Sequence, residues 1–133
     1  MSQGNQENLD ITRGIYEALA RHDFPADALD PAVEYVNPAG AIEPGTRHGL
    51  DEFRRVIEKV FEGWDMWHME PEELTAVGDQ VAVVLRYRAR GRTSGVELEG
   101  RESALLTFRD GKVVRYEWFQ GPGDALRAAA PSE

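Results

Sequence analysis

The amino-acid sequence predicts an α+β fold in a single domain, with helices first and an antiparallel sheet after them. Three observations carry this expectation. Apolar residues recur at helical spacing through the first half of the chain, with one short strand among them. From Trp64 onward the period changes to two. Arg109-Asp110-Gly111-Lys112 then sets Asp-Gly between two apolar runs, which reads as a hairpin turn because glycine takes the positive φ such a turn needs. Helices followed by strands, without alternation, indicate α+β organisation.

Taken in order, Ile11, Ile15 and Leu19 with Ala18 mark a first helix from about Glu7 to Arg21, and the polar opening before it reads as frayed. His22-Asp23 breaks the pattern, a short helical turn covers Ala26–Leu29, and Asp30-Pro31 ends it. Val33 to Val36 alternates as a strand and stops at Asn37-Pro38, since proline has no donor for a ladder. Glycines and prolines make Pro38 to Gly49 a loop. Phe53, Val56, Ile57, Val60 and Phe61 form one stripe, a second helix from about Leu50 to Glu62 that Gly63 can cap. Strands follow at Trp64–Val77, interrupted near Pro71, then Gln80–Arg92, Gly95–Arg109 and Val113–Phe119, with a last helical turn over Ala125–Ala130.

Composition narrows the classes of function. The 133 residues fit one domain, and with no cysteine there is neither a disulfide nor a thiolate nucleophile or metal ligand. A formal charge of -9 repels phosphate backbones, so nucleic acid is not expected as a partner. No run is apolar enough to span a bilayer, no apolar segment follows Met1, and a cytoplasmic location is the expectation. Arg86, Arg88, Arg90 and Arg92 alternate along one strand and read as a solvated face or a patch for an anionic ligand. His22, His48 and His68 lie on separate elements without metal-ligand spacing, so no metal is expected. Neither a glycine-rich phosphate loop nor Gly-x-Ser-x-Gly occurs, so no cofactor is expected. Trp64, Met66, Trp67 and Met69 around His68 read as core or dimer interface rather than pocket.

The order and spacing of several segments resemble the SnoaL-like branch of the nuclear transport factor two-like superfamily. They are the helix end at Tyr16–Asp23, Asp30-Pro-Ala-Val-Glu-Tyr-Val-Asn-Pro, the helix start Gly49-Leu-Asp-Glu-Phe, Ala76-Val-Gly-Asp-Gln-Val-Ala-Val-Val, Thr107-Phe-Arg-Asp-Gly-Lys-Val-Val-Arg and Asp124-Ala-Leu-Arg-Ala-Ala. The resemblance covers roughly Asn8 to Ala130 and implies a cone-shaped fold, a strongly bent sheet, an internal cavity and a homodimer. Relatives include ketosteroid isomerases, polyketide cyclases and limonene epoxide hydrolase.

What the resemblance implies for chemistry depends on single positions. Isomerase-like members carry a proton-shuttling carboxylate before the proline that ends the first strand. Asn37 stands there, and an amide does not take and return a proton at neutral pH. The protonated acid that helps hold an enolate corresponds to about Ala104. Epoxide-hydrolase-like members hold water with a tyrosine and an asparagine two apart. Tyr35 and Asn37 match that pair, and Glu117 on the last strand is the acid on offer, although Asn37 can equally satisfy loop backbone. SnoaL-like cyclases use an acid on that same last strand.

The last hairpin decides which way Glu117 faces. A three-residue Arg-Asp-Gly loop puts Ala104 and Leu106 on one face with Val114, Tyr116 and Trp118 and turns Glu117 away; a two-residue Asp-Gly loop opposes Ala104 to Glu117. The longer loop gives the more apolar face and is the one expected. The inner surface is then built from Tyr16, Tyr35, Asn37, Ala104, Leu106, Tyr116 and Trp118, with Arg86 or Glu102 as polar anchors. That mix suits a small hydrophobic or weakly polar molecule. If the cleft carries out a reaction, it is cofactor-free hydration, isomerisation or cyclisation, with Tyr35 and Asn37 positioning and Glu117 or Glu102 as base. The alternative is a non-catalytic binding module or a dimeric interaction module, in which a homodimer covers the strands around Val81, Val83 and Leu85.

Overall fold

The structure, a computed structural model, describes residues 2–38 and 45–129, with side chains from residue 5 onward. Helix α1 (Ser2–Ala20) begins before Glu7, where the apolar spacing starts; its polar side is supported by Gln6 Nε2, which donates to Asp10 Oδ1 at 3.0 Å. Ile15, Tyr16 and Leu19 are buried along one face. Thr12, fully buried among them, is satisfied by donating to the Asn8 carbonyl at 2.8 Å. The helix ends as His22 takes a left-handed φ of 60° and the Asp23 N–H bonds the Ala18 carbonyl at 2.8 Å.

A 3-10 turn at Ala26–Ala28 leads into β1 (Leu29–Asn37), whose ladder is irregular between Leu29 and Glu34, where Pro31 has no N–H to give. The loop expected from Pro38 to Gly49 is only partly a loop. Gly45–His48 forms a short edge strand, β2, antiparallel to β1, while residues 39–44 of that stretch lie outside the described residues. Glycine spacing hid β2, because four residues are too few to show a period.

Helix α2 (Gly49–Gly63) buries Phe53 and Ile57, and Glu52 Oε1 accepts the His48 N–H at 2.7 Å at its start. Strands β3 (Trp64–Val77), β4 (Gln80–Gly91), β5 (Glu97–Arg109) and β6 (Lys112–Phe119) follow, then α3 (Asp124–Ala129); Ala130, expected in that last turn, lies outside the described residues.

The six strands form one sheet in the order β2-β1-β6-β5-β4-β3. All neighbours are antiparallel except β1 and β6, which run parallel. The sheet is therefore mixed. Hairpins can give only antiparallel pairs, and β1 reaches β6 after the long excursion through α2 and three strands. Helix α2 packs on β1 and β2 at one end of that order and on β3 at the other. One helix can touch both ends only if the sheet curls around it, and irregularities at Pro71/Glu73 in β3 and Thr107/Phe108 in β5 help it bend.

Alternation assigns the faces. Val81, Val83 and Leu85 are fully buried beneath the helices of the same chain, so the cover they need is intramolecular and gives no reason for a second copy. Arg86, Arg88 and Arg90 take the opposite, outer face. There Arg86 lies 3.8 Å from Glu72 and 3.7 Å from Glu99, and Arg90 pairs with Asp65 at 2.9 Å. Arg92 donates to the carbonyls of Glu62 and Trp64. At the far end of the outer face α3 docks on Ala82 and Leu105. Buried Ser103 fixes it there, donating to the Gly121 carbonyl at 2.6 Å and accepting the Ala125 N–H at 3.1 Å.

The last hairpin corrects the loop expectation while keeping its consequence at the cleft. Arg109 pairs with Lys112, and both Asp110 (φ 53°) and Gly111 (φ 78°) are left-handed, so the loop has two residues. A bulge then sets Thr107 against Arg115 and Phe108 against Val113. The extra residue is Val114, and fully buried Val113 joins the core in its place. Beyond the bulge Leu106 opposes Tyr116 and Ala104 opposes Trp118, so these residues share the face expected of the longer loop, although that loop would have set Leu106 against Val114 and Ala104 against Tyr116. Among the described residues no helix is long and apolar enough to cross a membrane.

Candidate ligand cavity

Where the sheet curls, a cavity of about 380 Å³ remains between its inner face and the helices, within the size range of small-molecule sites. Helix α2 contributes Phe53, Ile57 and Val60 from the stripe that makes it amphipathic. The strands contribute alternate residues: Trp67 and Met69 from β3, Tyr87 and Ala89 from β4, Leu98 and Glu102 from β5, Tyr116 and Trp118 from β6. Tyr87 stands opposite Gly100, and a Cβ there would meet the tyrosine oxygen at 2.9 Å. The glycine leaves room for the ring.

One wall is a packed aromatic cluster. Tyr35 and Tyr116 lie parallel with centroids 5.6 Å apart, and Phe53 tilts against them at 4.7 and 5.7 Å. Behind it the hydroxyls of Tyr16 and Tyr116 share a hydrogen bond of 2.7 Å. Burial pushes all three phenols well above their usual 10, and the negative charge of Glu102 pushes the same way. They stay protonated and can serve as donors. Trp118 Nε1 donates to Asn37 Oδ1 at 2.5 Å, which fixes the indole plane at the cavity wall.

Among the described residues Glu102 is the single charged residue of the lining. Burial lifts its carboxyl from 4.5 to about 7, because the charged form loses hydration that apolar neighbours cannot replace. Such an acid is close to half-ionised at neutral pH, the condition in which one group can both accept and return a proton.

A family model described as a SnoaL-like domain matches residues 12–116. The chain belongs to the SnoaL-like domain family. Solved structures agree with this SnoaL-like assignment. An NTF2-like protein from Burkholderia thailandensis is 30% identical, with 93% of this chain and 98% of that one covered and a TM-score of 0.78. Another, from Burkholderia pseudomallei, is 25% identical over 94% of this chain and 98% of that one, also at 0.78. A Jannaschia sp. CCS1 protein, provisionally described as a SnoaL-like polyketide cyclase, shares the fold at 17% identity, with 96% and 95% covered and a TM-score of 0.78. No curated protein matches the sequence.

Against the residues expected to build the SnoaL-like inner surface, the geometry divides them. Tyr35, Glu102, Tyr116 and Trp118 line the cavity. Tyr16 and Asn37 stand behind that lining, each tied to a lining side chain. Ala104 and Leu106 face the same way but are fully buried in the core. Arg86 does not reach the cavity: its neighbours Leu85 and Tyr87 point inward, so alternation sends it outward. Glu117, opposite Leu105, also faces out and lies 3.7 Å from Arg115, so the grouping of Tyr35, Asn37 and Glu117 around one water is not formed.

Of the group expected in core or interface, Trp67 and Met69 do pack against the core and also line the cavity, as does Trp64. Cross-strand pairing of Trp67 with Ala89 and Met69 with Tyr87 sets them inward. The period-two alternation of β3 and β4 held that information in the sequence, but the register between them did not.

Proposed function

We propose that this chain binds a small, mainly apolar molecule in the aromatic cavity and that Glu102 moves protons on it, in a cofactor-free isomerisation, cyclisation or hydration. The observation that carries this reading is the lone carboxyl in an otherwise uncharged apolar lining, held at about 7 by burial. Tyr35 and Tyr116 present hydroxyl-bearing rings to the same space and remain protonated, which suits them to hold a carbonyl or developing oxyanion. The cyclase description of the Jannaschia protein is consistent with such chemistry.

The test is a turnover and binding screen of ketones, epoxides and polycyclic phenols with wild type and Glu102→Gln. Turnover should fall by about a hundredfold or more in the variant, the range for loss of a general acid or base, with binding kept. Equal turnover in both proteins would sink the reading. A second reading, ligand binding without reaction, is favoured by one feature. Among the described residues no side chain hydrogen-bonds Glu102 to orient it, and Asn37 Oδ1 is engaged by Trp118. Binding by wild type with no turnover across the screen is the result that reading expects.

A further inference from the structure

Among the described residues the lining pairs aromatic side chains with one acid and contains no lysine, arginine or histidine. Trp64, Trp67, Tyr87, Tyr116 and Trp118 surround the same space as Glu102. Ring faces carry negative quadrupole density and attract a cation, an attraction that grows when water is excluded. Helix α2 adds only Phe53, Ile57 and Val60 to this wall. The titratable groups that act with Glu102 are Tyr16 from α1, Tyr35 from β1 and Tyr116 from β6, all phenols that stay neutral, with Tyr87 of β4 also in the lining. Arg47, opposite Tyr35 on β2, is the cation that acts on Tyr35, and it is not part of the lining. Arg54 lies over the Phe24 ring at 4.5 Å, outside it too. The net charge of -9 draws cations toward the molecule as a whole.

We infer that the cavity selects an organic ammonium group carried on an apolar body, with Glu102 as its counter-ion and the tryptophan and tyrosine rings as its cage. The inference rests on the proposal that this cavity binds a small molecule, and it names the class. Sequence composition alone points to a neutral ligand; the lone acid among aromatic rings points to a charged one. An ammonium group supplies the charge that an ionised Glu102 lacks in the lining. Binding then favours the ionised carboxyl, so affinity for the cation rises as pH climbs toward and past 7 and falls where the acid must first lose its proton.

All three tryptophans of the chain line the cavity, so intrinsic fluorescence reports occupancy directly. Wild type and Glu102→Gln are titrated with benzyltrimethylammonium and with neopentylbenzene, its uncharged carbon isostere, at pH 5.5 and pH 8. At pH 8 the cation should bind wild type roughly tenfold or more tightly than the isostere, as a partly desolvated cation–π and ion-pair site implies. That preference should shrink severalfold at pH 5.5 and largely vanish in Glu102→Gln, while the isostere binds both proteins alike. Equal affinity of the two probes at pH 8, or a cation preference untouched by Glu102→Gln, overturns the inference and leaves the apolar cavity intact. If neither probe changes the fluorescence, the small-molecule reading fails with it.

Discussion

Replacing Glu102 by glutamine isolates the energetic cost of an acid in the cavity. Glutamine keeps the shape of the protonated acid and cannot ionise. In the unfolded chain the carboxyl titrates near 4.5; in the folded chain burial holds it to about 7. Below pH 4.5 both states are protonated and the residue carries no penalty. Between the two values the unfolded chain has released the proton and the folded chain retains it, so stability falls as pH rises. Above 7 both are ionised and the folded state bears the full cost. At ~1.4 kcal/mol per tenfold, the rise from 4.5 to about 7 is worth at most about 3.5 kcal/mol, an upper value because the cavity admits water. Glu102→Gln should therefore exceed wild type by up to about 3.5 kcal/mol at pH 8 and by under about 1 kcal/mol at pH 5. Urea denaturation of both proteins at the two pH values measures this, and taking the difference cancels every other titrating group. A difference that is the same at pH 5 and pH 8 would refute the reasoning. A less stable variant at pH 8 would mean that the carboxylate has a partner in the fold.

Two further outcomes follow from the same geometry. Tyr16→Phe leaves the Tyr116 hydroxyl buried without its 2.7 Å partner and should cost about 1–3 kcal/mol in denaturation, whereas Tyr16→Phe with Tyr116→Phe should cost less than the two singles added. Glu117→Gln and Arg86→Ala alter partly exposed ion pairs on the outer face, so stability should change by no more than about 1 kcal/mol. Tryptophan fluorescence titrations of these two variants should give wild-type ligand affinity; a severalfold loss would place their side chains at the site after all.

The element order apart from β2, the amphipathic face of α2 and the period of β3 to β6 were legible because each is a local pattern, repeating within a few residues of itself. Alternation likewise set Tyr116 and Trp118 on one face and Glu117 on the other, and the Asp-Gly dipeptide placed the last turn, but which of those faces lies inward depended on the bulge. Local pattern stops at parity and at distance. The bulge at Val114 shifts the pairing by one residue, a compensation that no spacing rule contains. Arg86 and Glu102 were equal candidates as polar anchors, since the sequence gives each strand two faces without saying which one the helices cover. Packing decided it, when α1 and α2 covered the face that carries Leu85 and Glu102. Only the curled sheet could lift Glu102 to about 7, because burial is set by tertiary packing, which brings residues distant in the chain such as Ile15 and Phe53 to the same cavity. The residues fixed what the walls are made of; the curl of the sheet decided that they enclose one acid.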